Sequence, residues 1–200
     1  MEQVKYRLRL NCSATTLNHS PALSLACHPT TPCPIVSGVS IAAEFAGDGS
    51  LCLRYRISGD PAKMRLPTAQ PPGTADNLWQ HTCCEAFIAT GAGGQYREFN
   101  FSPSGAWAAY QFNAYRQRDS HFVAAAAALI TFNRHAAGFD LLARLPPQLL
   151  PPLAACELGI AVIIESGDAS KSYWALAHCG EQPDFHCRQS FTLALTPNIP

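Results

Sequence analysis

Apolar and polar residues alternate with a period of two along much of this chain, the pattern of strands with one buried face. In residues 4–10, Val4, Tyr6, Leu8 and Leu10 oppose Lys5, Arg7 and Arg9. In residues 51–58, Leu51, Leu53, Tyr55 and Ile57 share a face opposite Arg54 and Arg56. The preceding run VSIAAEFAGDGS supplies a strand and a Gly-Asp-Gly turn, so residues 39–58 are expected to form a hairpin. Further strands are predicted at 83–90, 95–101, 106–115, 122–132, 138–144, 157–165, 172–178 and 189–195. Helix signals are weak. The run of alanines at 124–128 has high intrinsic helix propensity, but Phe122-Val123 and Leu129-Ile130-Thr131-Phe132 flank it, and it is read as strand. The prolines cluster at 29–34, 61–72, 146–152 and the C-terminus, which marks loops but no long polar linker. The expectation is an all-β protein: one antiparallel β-sandwich, a single domain over residues 1–200.

Composition narrows the function classes. Fourteen basic residues balance 14 acidic ones, so no face is expected to hold a polyanion, and nucleic acid is excluded as a partner. With 48% hydrophobic and 14% charged residues the chain is expected to bury a substantial core. No signal-peptide pattern, lipidation motif or membrane-length apolar run is apparent, and a cytoplasmic location is expected. Nine cysteines are an odd number, and they read as reduced, mostly buried small hydrophobes.

Candidate chemistry centres on NLWQHTCCEAFI, residues 77–88, where a carboxylate interrupts an uncharged run shortly after a tryptophan. Alternation puts Cys83, Glu85 and Phe87 on one face and Cys84, Ala86 and Ile88 on the other. In YREFNF, Tyr96, Glu98 and Asn100 share a face opposite Arg97, Phe99 and Phe101. A carboxylate in a strand centre needs a partner, because burying it alone costs several kcal/mol. Either an arginine (Arg54, Arg56 or Arg97) pairs with Glu85, or Glu85, Glu98 and Asn100 converge on a polar pocket. Aromatic faces bind the apolar face of a sugar ring, and Trp79 and Trp174 are the candidates, with Trp107 following the SPSG turn as a third tryptophan. Two His-Cys dipeptides, His178-Cys179 and His186-Cys187, and His81-x-Cys83-Cys84 offer metal donors, but without the spacing of structural zinc sites. No nucleophile elbow, P-loop or dinucleotide fingerprint occurs, and GAGGQ at 91–95 reads as a hairpin turn.

LWQHTCCEAFI, followed by QYREFNFSPSGAWAAYQFNAYR and later by SYWALAH and PDFH, resembles bacterial proteins with a DOMON-like domain, relatives of the family 9 carbohydrate-binding modules. The residues that carry the resemblance are Trp79, Glu85, Phe87, Ile88, Tyr96, Glu98, Phe99, Pro103, Ser104 and Gly105, and it extends over about residues 40–195. It implies a DOMON-like sandwich of immunoglobulin-like jelly-roll type that binds a carbohydrate or similar polyol without catalysis. By the resemblance Trp79, and Trp174 near the C-terminus, would clasp a sugar ring. Glu85, Glu98, Asn100, Arg116 and His178 complete the expected ligand-binding set. The cytochrome branch of the same family implies an alternative, haem held by Met64 with His178 or His121. A third alternative, a structural or partner-binding domain, requires a closed sheet face.

Overall fold

In a computed structural model of the chain, residues 21–91, 93–152 and 155–197 are described; the strand expected at 4–10 lies outside them. Thirteen strands follow one another: β1 Leu23–Cys27, β2 Val36–Phe45, β3 Leu51–Gly59, β4 Gly73–Thr74, β5 Cys83–Thr90, β6 Tyr96–Phe101, β7 Ala106–Ala114, β8 Gln117–Arg118, β9 Leu129–His135, β10 Gly138–Leu145, β11 Cys156–Glu165, β12 Lys171–Ala175 and β13 Leu193–Leu195. Three short 3-10 turns complete the regular structure, and no α-helix occurs among the described residues. None of the described segments is a helix long and apolar enough to cross a membrane.

The strands hydrogen-bond in the order β4-β7-β6-β5-β11-β12-β1-β2-β3-β10-β9, with β13 on β11 and β8 on β7. The architecture corrects the expectation of a single antiparallel sandwich. The ladder is continuous, because β1 changes partner along its length: Leu23, Ser24 and Leu25 pair with β2, while Ala26 and Cys27 pair with β12. One pairing, β4 with β7, is parallel. The sheet curls so that its β2-β3-β10 half and its β5-β6-β11 half bury one apolar core between them. Ile41, Leu53, Ile57 and Leu141 from the first half meet Ala86, Ile88, Phe99, Ile160 and Val162 from the second. Burial of this apolar area is the main force holding the two halves together. The Tyr55 hydroxyl crosses the core to donate to the Glu85 carbonyl, 2.9 Å away. That bond supplies the partner a buried phenol requires.

The hairpin expected at 39–58 forms from β2 and β3, and the expected strands at 83–90, 95–101, 106–115, 138–144 and 157–165 appear with small changes at their ends. The run 122–132 departs from expectation, since the ladder begins only at Leu129. The alanines before it form neither helix nor paired strand. They run along the core through a bend at 125–126, with Ala128 buried and Ala124 and Ala126 packed beside it. The flanking Phe122-Val123 and Leu129–Phe132 read as strand, but among the described residues only the part from Leu129 has a pairing partner. At the C-terminal end, β12 stops at Ala175, and residues 188–190 form a 3-10 turn before β13.

Candidate functional site

The face of the β5-β6-β7-β11-β12 region turned away from the core carries the site. Register brings Glu85 on β5 opposite Asn100 on β6, which is opposite Ala108 on β7. On its other side Glu85 is opposite Ala161, which is opposite Ala175. A row of alanines therefore flanks the Glu85–Asn100 pair and leaves a depression around it. In the next row Phe87, Glu98 and Tyr110 stand side by side. The resulting cavity encloses about 580 Å³ and is walled by Trp79, Phe87, Tyr110, Phe112, Tyr173 and Phe185 around Glu85, Glu98, Arg116, Arg118 and His186.

The loop before β5 delivers Trp79. Asn77 takes a left-handed conformation, φ 60°, and starts the 3-10 turn Leu78–Gln80. Asparagine tolerates that conformation better than most residues. The loop is tied at both ends: the Tyr110 hydroxyl donates to Asp76 at 2.7 Å, and His81 Nδ1 lies 2.8 Å from Glu165 Oε2. Arg65 donates to the other oxygen of Glu165 at 3.0 Å, and the Thr82 hydroxyl donates to the Arg65 carbonyl at 2.8 Å. Trp79 itself remains 48% exposed at the cavity mouth. Only its surroundings hold it there.

On the floor, Glu85 and Glu98 are 3% and 5% exposed and Asn100 is fully buried. The Asn100 amide donates to Glu98 Oε1 at 2.8 Å, which leaves its own Oδ1 buried without a donor. No described residue forms an ion pair with Glu85, so the arginine alternative fails. Arg56 pairs with Asp140, and Arg97 donates to Gln111 and to the Leu149 carbonyl while its guanidinium lies over Phe122. Arg54 lies on β3, in the other half of the sheet. Burial, and then the neighbouring Glu98, push the Glu85 carboxyl well above the usual carboxylate range. Burial raises Glu98 to about 7, against the hydrogen bond from Asn100 and the charges of Arg118 and Arg116. Two carboxyls this close disfavour double ionisation.

The rim is built from ion pairs and hydrogen bonds of its own. Arg116, held at φ 54° in the turn after β7, donates to Asp184 at 2.9 Å, and the Tyr115 hydroxyl donates to the same carboxylate at 2.7 Å. Arg118 stacks 3.9 Å over the Tyr110 ring and lies 3.8 Å from Asp76. The Tyr96 hydroxyl accepts from the Arg116 backbone N–H at 3.1 Å and sits 2.8 Å from His186 Nδ1. The other ring nitrogen, Nε2, faces Glu98 Oε2 at 3.7 Å. Burial and then Arg116 lower His186 to about 4, so its ring is neutral at ordinary pH.

Of the ligand-binding set expected from sequence, the fold brings Trp79, Glu85, Glu98 and Arg116 to the cavity wall, with Asn100 beneath it. Two members stand elsewhere. Trp174 points into the core between the sheet halves, its indole N–H on Ser172 at 3.0 Å; its neighbour Tyr173 faces the cavity instead. On a short strand with apolar residues on both faces, the phase of the alternation cannot be read from the chain alone. His178 sits outside the cavity, with Nε2 on the Ala26 carbonyl at 2.9 Å and its ring edge against His28. The cavity wall also carries Tyr110, Phe112, Arg118, Tyr173, Phe185 and His186, none of which is in that set. Tyr110 and Phe112 were accessible by extending the Glu98 face across one more strand, and Phe185-His186 lie in the PDFH run.

The haem ligands are not assembled. Met64 is packed in the core with its backbone bridged to Ser166, and neither His121, exposed in a loop, nor His178 lines the cavity. These residues do not fit haem. Among the described residues no cluster of three or more histidine, cysteine, aspartate or glutamate side chains is placed to hold a metal ion.

Family models give no match to this chain, and curated proteins give none either. Solved structures do match. A provisionally assigned carbohydrate-binding protein from Bacteroides uniformis superposes with a TM-score of 0.66 at 16% identity, over 88% of this chain and 85% of that one. A family 9 carbohydrate-binding module from Caldicellulosiruptor kristjanssonii, in complex with cellotriose, superposes with a TM-score of 0.51 at 12% identity, over 80% of this chain and 74% of that one. The chain has the fold of these carbohydrate-binding proteins.

Proposed function

We propose that this chain binds a carbohydrate, without catalysis, in the cavity above Glu85. One observation carries the reading: a half-exposed tryptophan ring stands at the mouth of a 580 Å³ cavity whose floor is made of buried acceptors with too few donors. A sugar supplies what such a site lacks, with an apolar C–H face for Trp79 and several hydroxyl donors for Glu85, Glu98 and Asn100. Arg116 then donates to ring or hydroxyl oxygens from the rim. The sugar-binding descriptions of both structural neighbours support this reading, as does the DOMON-like resemblance of residues 78–116. The open cavity favours it over a domain that binds no small ligand, and the burial of Met64 disfavours haem.

The test is calorimetry against a panel of mono- and oligosaccharides, followed by Trp79→Ala with the best binder. Loss of the stacking surface is expected to weaken binding by about 2 kcal/mol, roughly thirtyfold, the scale of an aromatic hot spot. Unchanged affinity removes Trp79 from the site, and no binding across the panel rejects the carbohydrate reading.

A further inference from the structure

The cavity floor carries more acceptors than donors. Arg116 is engaged by Asp184, and Arg118 sits on Tyr110 beside Asp76, so each rim arginine has its own aspartate. His186 is neutral, because burial lowers it to about 4. On the floor, one N–H of the Asn100 amide is given to Glu98, and the five side-chain oxygens of Glu85, Glu98 and Asn100 outnumber the donors among them. Glu85 lines the cavity at 3% exposure with no ion-pair partner among the described residues, and Asn100 Oδ1 is buried opposite it with none to accept from. Such an acceptor set is costly to keep dry unless something supplies protons and positive charge.

A neutral hydroxyl brings one proton to this floor. An ammonium brings three N–H donors and a full charge, and aromatic faces such as Phe87 and Tyr173 beside the floor are good neighbours for a cation. We propose that the ligand carries an ammonium group, as an amino sugar does, and that this group seats on Glu85, Glu98 and Asn100. The inference rests on the carbohydrate reading and names its ligand class. It also has a consequence for protons. Burial raises both carboxyls, and the neighbouring Glu98 raises Glu85 further, so the floor holds a proton. The bound cation takes over that role, so the proton leaves to solvent as the ammonium–carboxylate pair forms.

Calorimetry of the whole protein with glucosamine, galactosamine, their N-acetyl forms, glucose and galactose separates the alternatives. At least one free amine is expected to bind about tenfold or more tightly than its N-acetyl and parent sugars, with the preference abolished in Glu85→Gln. An unchanged far-UV circular dichroism spectrum and a cooperative melt of the variant show that its fold is intact. In the unmodified protein near neutral pH, the apparent binding enthalpy of the amine is expected to change between buffers of different ionisation heat, which reports proton release. Parent sugars that bind as tightly as the amines overturn the ammonium proposal and leave carbohydrate binding standing. Amine binding with no proton release overturns it as well, and a panel without any binder rejects both.

Discussion

Glu85 shows how a single residue sets the character of the site. Its position on a strand between Cys84 and Ala86 buries the backbone in the sheet, while its carboxyl faces the cavity with no ion-pair partner among the described residues. Glu98 makes the energetic consequence measurable. Its ordinary pKa of 4.5 is raised to about 7 in the folded protein. Between those values the folded state holds a proton that the unfolded chain has released, so stability falls as pH rises through about 7. Glu98→Gln removes this dependence: the variant is expected to gain in melting temperature over the parent as pH increases, with the two closest in acid. His186 acts in the opposite sense. Lowered from 6.5 to about 4, it costs stability as pH falls through that interval, because the unfolded chain then binds the extra proton. The two intervals overlap and oppose each other, so in urea titrations at several pH values Glu98→Gln and His186→Gln are expected to tilt the pH dependence of stability in opposite directions.

At the scale of elements, the supports of the site lie in loops and in one central strand. Glu165 at the end of β11 receives His81 and Arg65 together and so fastens the loop that carries Trp79. Glu165→Ala is expected to speed amide exchange over residues 77–82 and to weaken ligand binding several-fold through misplacement of Trp79. Little change is expected in the exchange of β5 itself. Gly159 on β11 has a different task. A Cβ there would lie 2.6 Å from the Phe191 ring, which packs with Phe87 and Tyr96 in the apolar cluster beside the cavity. Gly159→Ala is therefore expected to destabilise the protein by about 1–3 kcal/mol through overpacking, read as a shifted denaturation midpoint.

For the whole molecule, the decisive feature is that β1 joins both halves of the sheet while their side chains share one core. Neither half has an apolar face that is covered without the other, so they are expected to unfold together. Tryptophan fluorescence, which includes Trp107 and Trp174 in the shared core, should give the same denaturant midpoint as far-UV circular dichroism. Two separated midpoints would show that the halves are independent.

The face assignments of β5 and β6 were legible in the chain, because pleating is local: once a strand forms, Glu85 and Phe87 must oppose Cys84 and Ala86, and Glu98 and Asn100 must oppose Phe99 and Phe101. The hairpin of β2 and β3 was legible for the same reason, with a glycine-bearing turn between two alternating runs. Flanking β-formers without a partner strand mislead, as the alanines at 124–128 show. Long-range pairing decided the rest. That β11 lies between β5 and β12, that alanines flank Glu85 in register, that Tyr173 rather than Trp174 reaches the cavity, and that Arg116 is committed to Asp184 all depend on contacts between residues far apart in the chain. Residue types and their period determine which side chains a strand can offer; the register and the loops determine what those side chains meet.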